Sequence, residues 1–117
     1  MKKNIDAYIV RSEQKVWTAL VEEGIHYKGV FVKSLRFDKE KQRSTTILLK
    51  FEPGSSYPYH NHPAGEEIFV LQGSCEIEGS LLEEGDYLFT PPNSKHAVKS
   101  ESGCTLLLVI PEEVEKL

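Results

Sequence analysis

The chain lacks any apolar run long enough to cross a bilayer, and Met1, Lys2 and Lys3 lead into residues 4–11 without the apolar stretch of a secretory leader. A cytoplasmic protein with no membrane partner is the expectation. It also lacks a cluster of lysine and arginine, and its formal net charge of -4 argues against phosphate neutralisation and hence against nucleic acid as a partner. Cysteine is scarce: Cys75 and Cys104 stand far apart with no CxxC spacing. In a reducing compartment they are expected as free thiols lining the core, with a disulfide left open as the alternative. Neither internal repeats nor low-complexity segments occur.

What is present suits one globular domain spanning 1–117. Of 117 residues, 39% are hydrophobic and 27% charged, a balance that lets a chain of this length bury a core. Residues 1–11 read as an extended arm held by Ile5, Tyr8 and Val10. Between Ser12 and Glu23 the pattern fits a short helix or an extended segment equally. From Gly29 onward the signals are those of strands. Residues 30–37 place Phe31, Leu35 and Phe37 on one face, residues 38–44 form a charged turn, and residues 45–51 form a second strand. Further strands are expected at about 57–62, 66–72, 75–78, 86–90, 96–100 and 105–110, separated by turns at Gly73, Gly79-Ser80, Gly85, Pro91-Pro92-Asn93 and Ser102-Gly103. Pro111 ends the last strand, and residues 112–117 are expected to add one helical turn. Short strands punctuated by glycine and proline, without alternating helices, predict an all-β antiparallel sandwich or barrel.

One stretch organises the rest: GSSYPYHNHPAGEEIFVLQG, residues 54–73. His60 and His62 are two apart and project from the same face of a strand, as two ligands to one ion must. After the Pro63-Ala64-Gly65 corner, a second strand is expected to lie beside the first and return the carboxylate of Glu66 toward both imidazoles. His96, beyond a Pro-Pro turn, supplies a fourth donor. A lone HxH on a strand is weak, since most such pairs bind nothing. Here three of the four histidines fall on the pattern together with its carboxylate, so a metal site is expected at His60, His62, Glu66 and His96.

The spacing resembles a known family. Gly54, His60-Asn61-His62, Glu66 and Gly73 resemble the first motif of the cupins, small jelly-roll barrels of the RmlC type that usually hold a metal. Gly85, Pro91, Pro92-Asn93 and His96 resemble the second. The resemblance covers about residues 45–110 and implies a double-stranded β-helix, with 1–37 contributing an arm and outer strands. Asn93 stands where the second motif usually has glycine and Ser100 where it usually has asparagine; asparagine tolerates positive φ better than most residues. Within the superfamily, HNHPAGEEIFVLQG and GDYLFTPPNSKHAVKS are similar to ChrR-like cupins, a group that includes the zinc-binding domain of anti-sigma factors and relatives of non-haem dioxygenases. Such an anti-sigma factor also carries a helical domain with its own histidine-cysteine zinc site, a pattern these residues do not show.

Other residues are read more plainly. Alternation allows only one of Glu66 and Glu67 to face the metal, and only Glu66 has the spacing to Gly73; Glu67 is expected in solvent. His26 lies outside both motifs and reads as a surface or core-edge histidine. Phe69, Tyr87, Phe89 and Leu106-Leu107-Leu108 read as core. Tyr57 and Tyr59 either line the pocket mouth or are half-buried strand tyrosines. Lys95 is expected to point away from His96.

Coordination number separates two functions. Three imidazoles and a carboxylate close a tetrahedral zinc shell, which suits a non-enzymatic sensor or ligand-binding module. Around iron, manganese or nickel the same four donors leave two positions open, which suits a dioxygenase-like enzyme acting on a chelating, oxygen-bearing small molecule. A sugar isomerase is a weaker third idea, because Arg11, Arg36 and Arg43 all lie outside the motifs. A homodimer formed through edge strands or residues 1–37 is also expected.

Overall fold

The structure, a computed structural model, describes residues 4–117. Asn4 caps a 3-10 turn, Ile5–Tyr8, its side chain accepting from the Asp6 amide at 3.0 Å. The expected extended arm is therefore a turn here; its first three residues lie outside the described region. After a second 3-10 turn at Ser12–Gln14, ten strands follow among the described residues. They are β1 (Thr18–Glu22), β2 (Ile25–Asp38), β3 (Arg43–Phe51), β4 (Ser55–His62), β5 (Glu66–Ile77), β6 (Ser80–Glu83), β7 (Tyr87–Thr90), β8 (Ser94–Ser100), β9 (Cys104–Val109) and β10 (Glu115–Lys116). Every pairing among them is antiparallel.

The strands curl into a two-walled jelly-roll barrel. One wall runs β1-β2-β3-β9 to the first half of β5, with β7 beside it; the other comprises the second half of β5 with β6, then β8, β4 and β10. β5 thus belongs to both walls. The sequence suggests a turn at Gly73 between two strands. Instead the chain bends there and continues as one strand: past a register shift between Val70 and Gln72, Gly73 takes φ +76° while still pairing with Cys104 of β9, and Ser74 goes on to pair with Glu83 of β6.

Three other expectations change. Ser12 to Glu23 resolves to a 3-10 turn followed by β1, since Ala19 and Thr18 pair with Phe31 and Val32 of β2. In β2 Phe31, Leu35 and Phe37 do not make a core face: register shifts between Ser34 and Phe37 interrupt the alternation, Phe37 is exposed, and the buried hydrophobic residues of the strand are Tyr27 and Val30. Residues 112–117 form the short β10 rather than a helical turn, because Glu115 and Lys116 find backbone partners at Asn61 and His60.

Phe51, Ile68, Val70 and Leu106, with Val30, fill the space between the walls and are almost fully enclosed. Burial of a side chain such as Ile68 stabilises the fold by about 2 kcal/mol. Cys75 and Cys104 are free thiols in this core; a hydrogen bond to Cys104, with burial, holds the Cys75 thiol protonated. Phe69, Tyr87 and Phe89 are not core. They lie on the outer face of the first wall, 38%, 54% and 59% exposed, because their strand positions alternate with the inward Ile68 and Leu88. Of the leucine run, Leu106 and Leu108 face inward and Leu107 outward. No helix among the described residues is long and apolar enough to cross a membrane.

Candidate metal centre

Strand alternation on β4 turns His60 and His62 inward, as the two-residue spacing requires, and Asn61 to the opposite face, where it is buried and donates to Glu115. His60 stands directly opposite His96 in the β4–β8 register, which brings the third imidazole to the same place. His60 Nε2 lies 2.7 Å from His62 Nε2, and His62 Nε2 lies 3.2 Å from His96 Nε2. All three rings are buried.

Glu66 arrives from the other wall. Its strand does not lie beside β4 as the sequence suggests; β5 pairs here with β7 and β9, and the carboxylate reaches across the barrel. Glu66 Oε1 then sits 3.2 Å from His62 Nε2 and 3.3 Å from His96 Nε2. The corner that makes this possible packs tightly. The His62 carbonyl accepts both the Gly65 amide at 3.1 Å and the Asn93 amide at 2.7 Å, so it joins the turns of both motifs. Asn93 adopts φ +63°, the conformation that glycine would otherwise supply. Glu67, exposed on the outer face, accepts the Tyr87 hydroxyl at 2.6 Å. His26 is exposed on β2, and Lys95 points to solvent.

The donor set fits a cation. His60 Nδ1 donates to the Pro58 carbonyl at 2.7 Å, which fixes the tautomer and directs the Nε2 lone pair inward. Glu66 Oε1 is buried without a hydrogen bond despite its two imidazole neighbours, whose geometry does not direct a proton at it. Lone pairs that face one another in this way repel until a positive charge sits between them. An ion about 2.1 Å from each donor needs neighbouring donors roughly 3.0 to 3.4 Å apart, depending on octahedral or tetrahedral geometry. The separations of 3.2 and 3.3 Å fall in that range, and 2.7 Å is slightly short of it.

Burial dominates the electrostatics. It pushes His60 down to about 4 and, reinforced by the other two imidazoles, His62 down to about 3. Both rings are neutral and ready to coordinate at pH 7. Burial also raises Glu66, with His96 opposing. The sign for stability follows: below about pH 6.5 the unfolded chain takes up protons that folded His60 and His62 refuse, so stability falls as pH falls. Glu66 acts oppositely, above its unfolded value, but as one group against two. In the presence of a chelator, the melting temperature is expected to drop between pH 7 and pH 5. A flat or rising value on acidification would contradict the buried neutral imidazoles.

His60, His62 and Glu66 line a cavity of about 360 Å³ between the walls. Its lining is largely apolar, from residues such as Leu49, Phe51, Val98 and Leu106, with Arg43, Glu22 and Glu113 among its polar members. Tyr57 lines this cavity, whereas Tyr59 is 49% exposed elsewhere. Both follow from a bulge: three steps from Tyr57 to His60 match two from Val98 to His96. One extra residue keeps Tyr57 inward. Pro58, which cannot donate to a ladder, was the available signal; Glu22 had none.

A jelly-roll barrel with three inward histidines that could hold a metal ion, beside a largely apolar cavity, defines the class as a cupin. The ChrR Cupin-like domain family matches residues 6–111, and the chain belongs to that family. Among curated relatives, it is 34% identical over 65 residues to a DNA damage-repair/toleration protein of Arabidopsis thaliana, covering 50% of this chain and 21% of that protein. It is 37% identical over 62 residues to a dimethylsulfoniopropionate lyase of Ruegeria pomeroyi, covering 49% and 31%. The chain thus aligns with less than a third of either relative. Among solved structures, an acetylacetone dioxygenase from Acinetobacter johnsonii superposes with a TM-score of 0.78 at 18% identity, over 97% of this chain and 79% of that one. An RmlC-like cupin from Ralstonia eutropha gives 0.76 at 17%, over 91% and 69%. These structural likenesses establish the fold.

Proposed function

We propose that this chain binds one divalent transition metal ion, zinc, iron, manganese or nickel, through His60, His62, His96 and Glu66, and uses it on a small chelating molecule. The carrying observation is the three-histidine cluster, with Glu66 against it, opening on an apolar cavity of about 360 Å³. That volume suits a compact organic ligand. The favoured chemistry is of the dioxygenase type, on a diketone, enol or hydroxyketone. A bound ion would supply Lewis acidity and, as iron, access to O₂. The protein's part is to hold neutral imidazoles, to orient the ligand and to exclude water with the walls around Phe51 and Leu106.

The relatives support a small-molecule reading, since a lyase and a dioxygenase are among them. A sensor or ligand-binding module is the second reading, favoured by the ChrR Cupin-like match itself. Elemental analysis followed by O₂ uptake on Fe²⁺-loaded protein separates the two. Iron in the purified protein, with O₂ consumption dependent on a diketone or phenolic ketone, is the expected result. Tightly held zinc with an inert panel would favour the sensor. The proposed assembly is a homodimer through the edge strand β1, where Val21, and Ile25 of the adjoining β2, are exposed. Sedimentation of monomers at micromolar concentration would refute that assembly.

A further inference from the structure

The cavity has a second polar feature besides the histidine cluster. Tyr57 is buried with its ring edge-on to His60, centroids 4.8 Å apart, and its hydroxyl donates to Glu22 Oε1 at 2.6 Å. Glu22 itself lines the cavity from β1 and is held from behind by Lys116 of β10, 3.9 Å away. Three strands therefore meet on one hydroxyl–carboxylate pair. The basic groups of the lining are otherwise engaged: Lys41 Nζ donates to the Pro111 carbonyl and to Glu112, and Arg43 donates to the Ile110 carbonyl at 2.6 Å.

The direction of the Tyr57 hydrogen bond decides what the pair offers. With its proton committed to Glu22, the phenol oxygen can only accept, its other side-chain partner being Tyr27 of β2 with a ring centroid 4.9 Å away, and the Glu22 carboxylate on the cavity lining has acceptor capacity to spare. Such a site hydrogen-bonds a ligand that brings a donor and gives nothing to one that brings only carbonyl oxygens.

We propose that the Tyr57–Glu22 pair is a specificity determinant that accepts a hydrogen bond from a ligand hydroxyl, so that the cavity takes hydroxylated chelators in preference to bare diketones. The inference rests on the proposed reading that a chelating molecule binds at the metal, and it narrows the substrate class within that reading. Tyr57 acts on the ligand directly, and Glu22 is the positioning residue that sets the direction of its proton.

Two hydroxypyranones with the same chelating bite make the test. Kojic acid carries a hydroxymethyl group where allomaltol carries a methyl. Titrated into Co²⁺-loaded protein and followed by the visible spectrum of the ion, kojic acid is expected to bind about fivefold tighter, the worth of one net hydrogen bond. Tyr57→Phe, which keeps the ring, should abolish the preference, the two pyranones then binding equally; Glu22→Gln should reduce it. Equal affinities in the unsubstituted protein, or a preference that survives Tyr57→Phe, would overturn the proposal. A Tyr57→Phe protein that melts earlier with the preference intact would show a purely structural hydroxyl, also overturning it. If neither pyranone perturbs the cobalt spectrum, the chelate reading itself fails and takes this inference with it.

Discussion

Replacing His62 with alanine is expected to lower the affinity for a divalent ion such as Zn²⁺ or Fe²⁺ by more than about a hundredfold, since loss of an outer-shell partner alone costs 10- to 100-fold. His62 stands at the centre of the cluster: its Nε2 has His60, His96 and Glu66 as neighbours at 2.7, 3.2 and 3.2 Å. With a side chain 1% exposed, it has no solvent-facing rotamer to compensate from, and no other described imidazole is near enough to substitute. His26→Ala, on the exposed part of β2, is the control and should leave affinity unchanged. Competition against a chromophoric chelator reads both variants. Equal retention of metal would remove the basis for this centre.

Gly73→Ala should be the most damaging small substitution outside the site, with a loss of about 3 kcal/mol or more of a stability that is roughly 5 to 15 kcal/mol for domains of this kind. Part of the loss is conformational, since φ +76° costs a residue with a Cβ about 1 to 2 kcal/mol. The larger part is spatial. A Cβ there would fall 2.2 Å from the Gly103 carbonyl oxygen and 2.9 Å from Cys104 Cα, both backbone atoms of the adjoining strand region. Neither can rotate aside as a side chain would. Gly79→Ala isolates the conformational part, because Gly79 has φ +79° with nothing within 4 Å of the added carbon. Urea unfolding of the two variants should differ by at least about 2 kcal/mol. Similar midpoints would mean that the β5–β9 contact yields easily and that the bend is not fixed by close approach.

The site was legible to the extent that its signals are local. Two histidines at a strand period share a face wherever the strand lies, so His60 and His62 could be paired from spacing alone. The exposure of Glu67 and Lys95 follows from the same reasoning. Where the period broke, the reading broke. Register shifts in β2 interrupted the alternation of Phe31, Leu35 and Phe37, and the bulge at Pro58-Tyr59 brought Tyr57 into the cavity. The aromatic residues Phe69, Tyr87 and Phe89 were misplaced for another reason. Hydrophobicity says that a side chain gains from burial, but the alternation of β5 and β7 assigns the inward positions to Ile68 and Leu88. β1 and β10 have weak patterns of their own and exist because neighbouring strands supply their hydrogen-bond partners.

By itself, the sequence determined the donor chemistry and the places where the backbone must turn: three imidazoles and a carboxylate, and residues at Gly54, Gly85 and Asn93 that accept φ values from +63° to +90°. These are properties of a residue and its immediate neighbours. Only the tertiary structure decided that Glu66 approaches from the wall opposite His60, that β5 serves both walls, and that Glu22 from β1 meets Tyr57. Those facts depend on which strands pair across long separations in the chain. Pairing is settled by how the whole barrel closes, and no local pattern carries that information.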